Sequence, residues 1–151
     1  MTAIGFFALT LGAAAVVEDL ARRRISNWTS GTALVTGIAL HTFERGWHGA
    51  ASAAAGAGVG FAIFAVFYLL NGMGGGDVKL MAGFGSLLGP ATILLAAWIA
   101  AVAGGLMAAA SALVLTICQK SSGGRTAARA EAIPYAPAIV AGVWLAEMAR
   151  G

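Results

Sequence analysis

The sequence predicts an all-α, polytopic membrane protein of about six transmembrane helices. Three observations carry that reading. Hydrophobic residues make up 60% of the 151 positions and charged residues only 10%, against about 45–50% and about 25% in a soluble domain. The mean hydropathy is +0.87. The apolar residues are also gathered into runs close to the roughly twenty residues that cross a hydrocarbon core as a helix. No polar stretch is long enough to fold separately, so 1–151 is read as a single integral-membrane domain.

The segments follow in order. The first runs from Thr2 to Leu20; it has no basic residue before it, and Asp19 and three arginines follow at once, which suits a retained anchor better than a cleaved signal. The second spans Trp28 to Phe43. The third, Gly49 to Leu70, carries Ser52, Gly56 and Gly60 at four-residue spacing, and small residues let helices approach where lipid supplies no hydrophobic force. The fourth, Asp77 to Leu88, ends at Gly89-Pro90 and is too short to span alone. It is expected to be tilted, or to be a half-helix facing a cavity, since lipid tolerates broken helices only where backbone groups find protein or water. The fifth, Ala91 to Cys118, has Gly104 and Gly105 in the same packing role, and the sixth runs from Ile133 to Ala149. There is no internal repeat.

Basic residues set the orientation. Arg22, Arg23 and Arg24 follow segment one, Lys79 follows segment three, and Lys120, Arg125 and Arg129 lie between segments five and six. With six spans these seven share one side, and Arg45 and Arg150 lie on the other. The seven are expected at the cytoplasmic face with both termini outside. Asp19 and Asp77 then fall together at the cytoplasmic face.

The other reactive side chains are sparse. Cys118 is the one cysteine, so neither an intrachain disulfide nor a paired zinc motif exists, and it is read as a packing residue. His41 and His48 are placed towards the outer side and given no role. Trp28, Trp47, Trp98 and Trp144 are read as interfacial or packing residues. No Ser/His or Cys/His pair appears near the cytoplasmic loops, and no His, Cys or carboxylate cluster has metal-ligand spacing. Neither a cofactor nor a nucleic-acid partner is expected; the bilayer is.

Chemistry therefore rests on carboxylates. The chain has six acidic residues, and an Asp at a helix centre costs roughly 2.5–3.5 kcal/mol in a membrane. Asp77 stands in Gly72-Met73-Gly74-Gly75-Gly76-Asp77-Val78-Lys79-Leu80. The glycines open backbone conformations closed to other residues and let another extended chain approach. The plain alternative is a glycine-rich turn with Asp77 as helix N-cap. Asp19 ends the first segment, where it also balances Arg22 to Arg24. Glu18 competes with it, and position alone does not decide between them. Two carboxylates in a low-dielectric pocket cannot both ionise cheaply, so one holds a proton. Such a pair supplies a base that activates water and an acid that protonates the departing amine.

Gly74-Gly75-Gly76-Asp77-Val78-Lys79-Leu80 resembles the GxGD motif of the type IV prepilin peptidases, aspartic enzymes with a common Lys two residues after the Asp. Asp19-Leu20-Ala21-Arg22-Arg23-Arg24-Ile25-Ser26-Asn27-Trp28 resembles the family's first aspartate motif, with Ser26 where Pro is usual. Ile133-Pro134-Tyr135-Ala136-Pro137-Ala138 is similar to the segment that opens the last helix, which Pro134 and Tyr135 would shape. The resemblance covers essentially the whole chain. It implies catalytic Asp19 and Asp77, with Glu18 then solvated, and supporting Gly74, Gly76 and Lys79. Lys79 lies about 200° round a helix from Asp77 and points away from it.

The resemblance further implies a prepilin or pseudopilin substrate whose short basic leader is cut at the cytoplasmic face. Lacking the Cys-rich extension of larger members, the chain looks like the short, peptidase-only branch associated with Flp/Tad-type pili, without N-methyltransferase activity. Two other classes compete: a small transporter or channel using intramembrane acids, and a membrane scaffold whose acids merely end helices. Glu18 in place of a Tyr before Asp19 argues against the presenilin and signal-peptide-peptidase branch. The oligomeric state is not readable.

Overall fold

The computed structural model describes residues 3–22, 25–70, 73–121 and 136–150. Every regular element among them is an α-helix: α1 (Ala3–Arg22), α2 (Asn27–Leu69), α3 (Gly75–Ser121) and α4 (Ala136–Arg150). Ala3–Arg22, Asn27–Leu69 and Gly75–Leu113 are long and apolar enough to cross a bilayer, and α4 is a shorter apolar helix. The all-helical, membrane-type fold expected from composition is the one observed. The expected start of the sixth segment, Ile133 to Tyr135, and the basic residues Arg23, Arg24, Arg125 and Arg129 lie outside the described residues.

Six predicted segments appear as four elements because two pairs are joined by a single glycine. Gly46 in α2 has φ 58° and ψ −139°, and Gly89 in α3 has φ 78° and ψ 172°. Positive φ is open to glycine at little steric cost. Pro90, which has no N–H to give the preceding turn, completes the second break. At each glycine the chain reverses. Gly49 is pressed against the His41 backbone carbonyl, a contact that a straight helix cannot make across eight residues.

The neighbours of 75–88 show the directions. Gly83 packs on Ser30 and Ala33, Ser86 on Gly37, and His41 meets Leu87, so 27–45 runs parallel to it. Gly56 packs on Gly85 and Gly60 on Met81, so 49–69 runs antiparallel. After Gly89 the chain returns with Ile93 beside Gly60. Helix α4 lies antiparallel to α1: the Trp144 indole N–H donates to the Ala8 carbonyl at 3.3 Å, over Gly12. Its Gly142 sits on the backbone of Ala96 and Ala100. The C-terminus of α1, both ends of the α2–α3 turn and the N-termini of α2 and α4 therefore gather at one end. Gly46, Gly89, Ala3 and Arg150 lie at the other.

The short fourth segment is the centre of the bundle, and its Lys79, Ala82 and Gly83 also line a hollow shared with Asn27, Ser30 and Phe61. Leu80, Met81, Phe84, Ser86 and Leu87 are fully buried. Enclosure by protein explains how about 21 Å of helix suffices where a lipid-facing helix needs about 30 Å. Backbone groups freed at the break find protein partners. His41, 2% exposed, donates from Nε2 to the Leu87 carbonyl at 2.9 Å. The Ser86 hydroxyl sits 2.7 Å from the Gly83 carbonyl and 3.2 Å from those of Ala33 and Leu34. The sequence reading gave His41 no role; it caps the interruption at Gly89.

The small residues divide into two kinds. A Cβ on Gly56 would strike the Gly85 carbonyl oxygen, and one on Gly60 would stand 2.5 Å from that of Met81. Gly105 faces open space, so the packing role expected of it is not met, while Gly104 is buried. Trp28 and Trp47 are exposed near opposite ends of the first half of α2, as interfacial residues are, Trp98 is exposed along α3, and Trp144 packs on Gly12. Gly56→Ala is expected to destabilise the detergent-solubilised protein by about 1–3 kcal/mol through overpacking. Gly58→Ala, whose added methyl meets nothing within 4 Å, should be neutral or stabilise by up to about 1 kcal/mol. Thermal unfolding of the two variants checks the contrast.

Candidate active site

Helical phase places Asp19. The buried face of α1 runs Ile4, Ala8, Gly12, Ala15, Asp19, a sequence of three- and four-residue steps that keeps one stripe against its neighbours. Glu18 is about 100° round the helix and faces elsewhere. Asp19 is 8% exposed. Its Oδ2 accepts the backbone N–H of Ala136 at 3.2 Å. Ala136 is the first residue of α4, so this N–H is one of the donors that a helix start leaves without an internal partner. Asp19 thus caps a helix far from it in sequence.

Asp77 is set by the turn before it. Gly74 precedes α3, so Asp77 is the third residue of the helix rather than its N-cap. The Asp77 N–H donates to the Gly74 carbonyl at 3.1 Å, and the Gly74 N–H donates back to Asp77 Oδ2 at 3.2 Å. An acidic side chain at the third position reaching back to the N-cap N–H is half of a capping box. Asp77 is also 8% exposed. Gly76 passes close to Ile25, its missing Cβ lying 3.3 Å from that of Ile25, so a side chain there would crowd the α1–α2 connection.

The two aspartates occupy the same end of the bundle. Each has one oxygen engaged by a backbone N–H. Lys79 is directed elsewhere: it is exposed, and Nζ donates to Asn27 Oδ1 at 3.1 Å, tying the start of α3 to the start of α2. Beside the Gly74 turn an apolar hollow lies between Phe64, Phe67, Met73, Ala101 and Gly104. Among the described residues no three His, Cys, Asp or Glu side chains cluster as a metal site. Cys118 lies in the helical run of α3, and His48 follows Gly46 at the far end of the bundle.

Glu18 departs from expectation. It is not solvated: Oε2 accepts the Ser26 N–H and the Thr29 hydroxyl, both at 2.9 Å. Ser26 is the N-cap of α2, and its own Oγ accepts from the Trp28 N–H at 3.2 Å. No short-range signal could have announced this, because the box pattern after Ser26 has Thr29 where Glu or Gln would stand. The Ala136 N–H was equally invisible, being a backbone group brought in by the last helix.

Fold and site together define a membrane-type helical protein with two buried carboxylates at one end. A family model described as the type IV leader peptidase family matches residues 6–109, and the chain belongs to that family; it is a peptidase of the type IV leader class. No curated protein and no solved structure matches the chain. The match takes in α1 from Phe6 onward, α2, the Gly74 turn and α3 as far as Ala109, and α4 lies beyond it.

Amide substitution separates capping from acidity. Asp19→Asn and Asp77→Asn keep an oxygen that accepts from Ala136 and Gly74, so unfolding temperatures should stay near the parent's. Asp19→Ala removes the acceptor and is expected to cost about 1 kcal/mol, readable by thermal unfolding in detergent.

Proposed function

We propose that the chain is an aspartic endopeptidase that removes the leader from type IV prepilins or pseudopilins, with Asp19 and Asp77 as its catalytic pair. One carboxylate takes a proton from water as it attacks the scissile carbonyl, and the other protonates the departing amine. Gly74 and Gly76 keep the approach to Asp77 free of side chains, and Lys79 supports the site indirectly by holding α3 to Asn27. The whole chain acts as one domain in the cytoplasmic membrane, with the Asp19–Asp77 end towards the cytoplasm, where a basic leader arrives. The substrate class is that of Flp/Tad-type pili, and no N-methyl transfer accompanies cleavage.

The observation that carries this reading is the convergence of two buried aspartates, from separate helices, at one end of a bundle that belongs to a leader peptidase family. The basic residues that flank that end by sequence support the orientation.

Co-expression with a small Flp-like prepilin, followed by gel mobility and mass spectrometry of the released leader, is the test. The parent chain should process the prepilin, and Asp19→Asn or Asp77→Asn should each lower the rate at least about 100-fold. Full processing by either variant, or none by the parent, would end the proposal.

A further inference from the structure

Glu18 is a charged side chain that the proposed chemistry does not use, yet it reaches from α1 across the first interhelical connection to the start of α2. Its carboxylate leaves α1 one residue before Asp19. One oxygen, Oε2, receives two donors from the start of α2: the N–H of the N-cap Ser26 and the hydroxyl of Thr29, each at 2.9 Å. Thr29 is the third helical residue after that cap. In an ordinary capping box the third residue itself carries the acid that takes the N-cap N–H. In this chain the acid comes from the preceding helix, and the third residue helps to hold it.

We infer that Glu18 is a positioning residue for the proposed peptidase: by completing the cap of α2 from α1, it fixes the rotation and depth of the C-terminal end of α1, and with them the placing of Asp19 against Asp77. The inference rests on the assignment of Asp19 and Asp77 as the catalytic pair. Three observations support it. Asp19 is the next residue along the same helix, so any rotation of α1 that lengthens the Glu18 contacts also moves the carboxylate beside it. Both donors belong to one rigid helix start, and that start is itself joined to α3 two residues beyond Asp77, through Asn27 and Lys79. A path of covalent neighbours and two hydrogen bonds thus links Asp19 with the first turn of α3, which carries Asp77, through Glu18, Ser26, Asn27 and Lys79. Third, the serine at 26 is what makes the arrangement available. Its φ of −66° and ψ of 139° suit proline equally well, but proline has no N–H for Glu18 to accept.

The full chain in detergent, with purified prepilin as substrate, supplies the test. Glu18→Ala should lower kcat about 10- to 100-fold while KM changes less than about 2-fold, the pattern of a displaced reacting group. Glu18→Gln, whose side-chain carbonyl still accepts both donors, should recover most of that loss. Ser26→Pro should lower kcat as well, and adding Glu18→Ala to it should cost less than Glu18→Ala does alone, because the two changes break one shared contact. Ser26→Ala, which keeps the N–H, should stay near the parent. If Glu18→Ala does not fold, the comparison of Ser26→Pro with Ser26→Ala decides the matter alone. Parent-level kcat in Glu18→Ala, a Gln variant no better than Ala, or equal Pro and Ala variants at 26 would overturn the inference. Asp19→Asn serves as the control: inactive Asp19→Asn beside fully active Glu18→Ala rejects the positioning role alone, whereas active Asp19→Asn rejects the catalytic assignment.

Discussion

The contact on which the rest of the molecule depends is backbone on backbone: Gly56 of α2 against Gly85 of α3. Nothing in a lipid environment pushes apolar helices together, so cohesion comes from close van der Waals approach and from hydrogen bonds that water does not contest. Gly56, Gly60, Gly83 and Gly85 bring the short segment 75–88 so near its neighbours that helix surfaces touch at the level of carbonyl oxygens. That enclosure lets a segment of about 21 Å sit inside the bundle and lets it end at Gly89 without exposing its last carbonyls. The depth of Asp77, two residues into the same segment, is a consequence. It is set by where the glycines allow the helix to lie.

At the other end of that segment the same economy of polar groups recurs. Helix starts leave N–H groups without partners, and here acidic side chains take them: Asp77 the N–H of Gly74, Asp19 that of Ala136, and Glu18 that of Ser26. Three helix starts at one end of the bundle are thus each met by a carboxylate. The negative charge also falls where the helix dipoles are positive. A pair of buried acids is costly in an apolar bundle, and their duty as caps offsets part of that cost. Each aspartate oxygen engaged by a backbone donor also has a fixed orientation.

Much of this was legible in the sequence, for physical reasons that differ by residue. The helices were legible because apolar runs report burial in lipid directly, and the two breaks because one apolar run gives out after Phe43 and the Gly89-Pro90 pair ends another. The common end shared by Asp19 and Asp77 followed from counting spans. The choice between Glu18 and Asp19 was also present, in the small-residue stripe Ala8, Gly12, Ala15 that continues to Asp19 and not to its neighbour; phase decides what position did not. The engagement of Glu18, the capping of Leu87 by His41 and the donor at Ala136 were not legible. Each joins groups remote along the chain, through one polar contact that leaves no periodic trace. Gly105 shows the converse: a small residue in an apolar run need not face anything.

The reach of Asp19 to α4 has a bearing on the order of assembly. Helices enter the membrane in the order in which the ribosome releases them, and Ala136 of α4 follows both aspartates. A nascent chain that has delivered both aspartates still leaves the first of them without its backbone donor. Only after α4 has been made does it settle against α1 and hold that carboxylate in place. The surroundings of Asp19 are in this sense completed by a helix made after it, so a polypeptide that stops short of α4 holds Asp19 without the Ala136 donor.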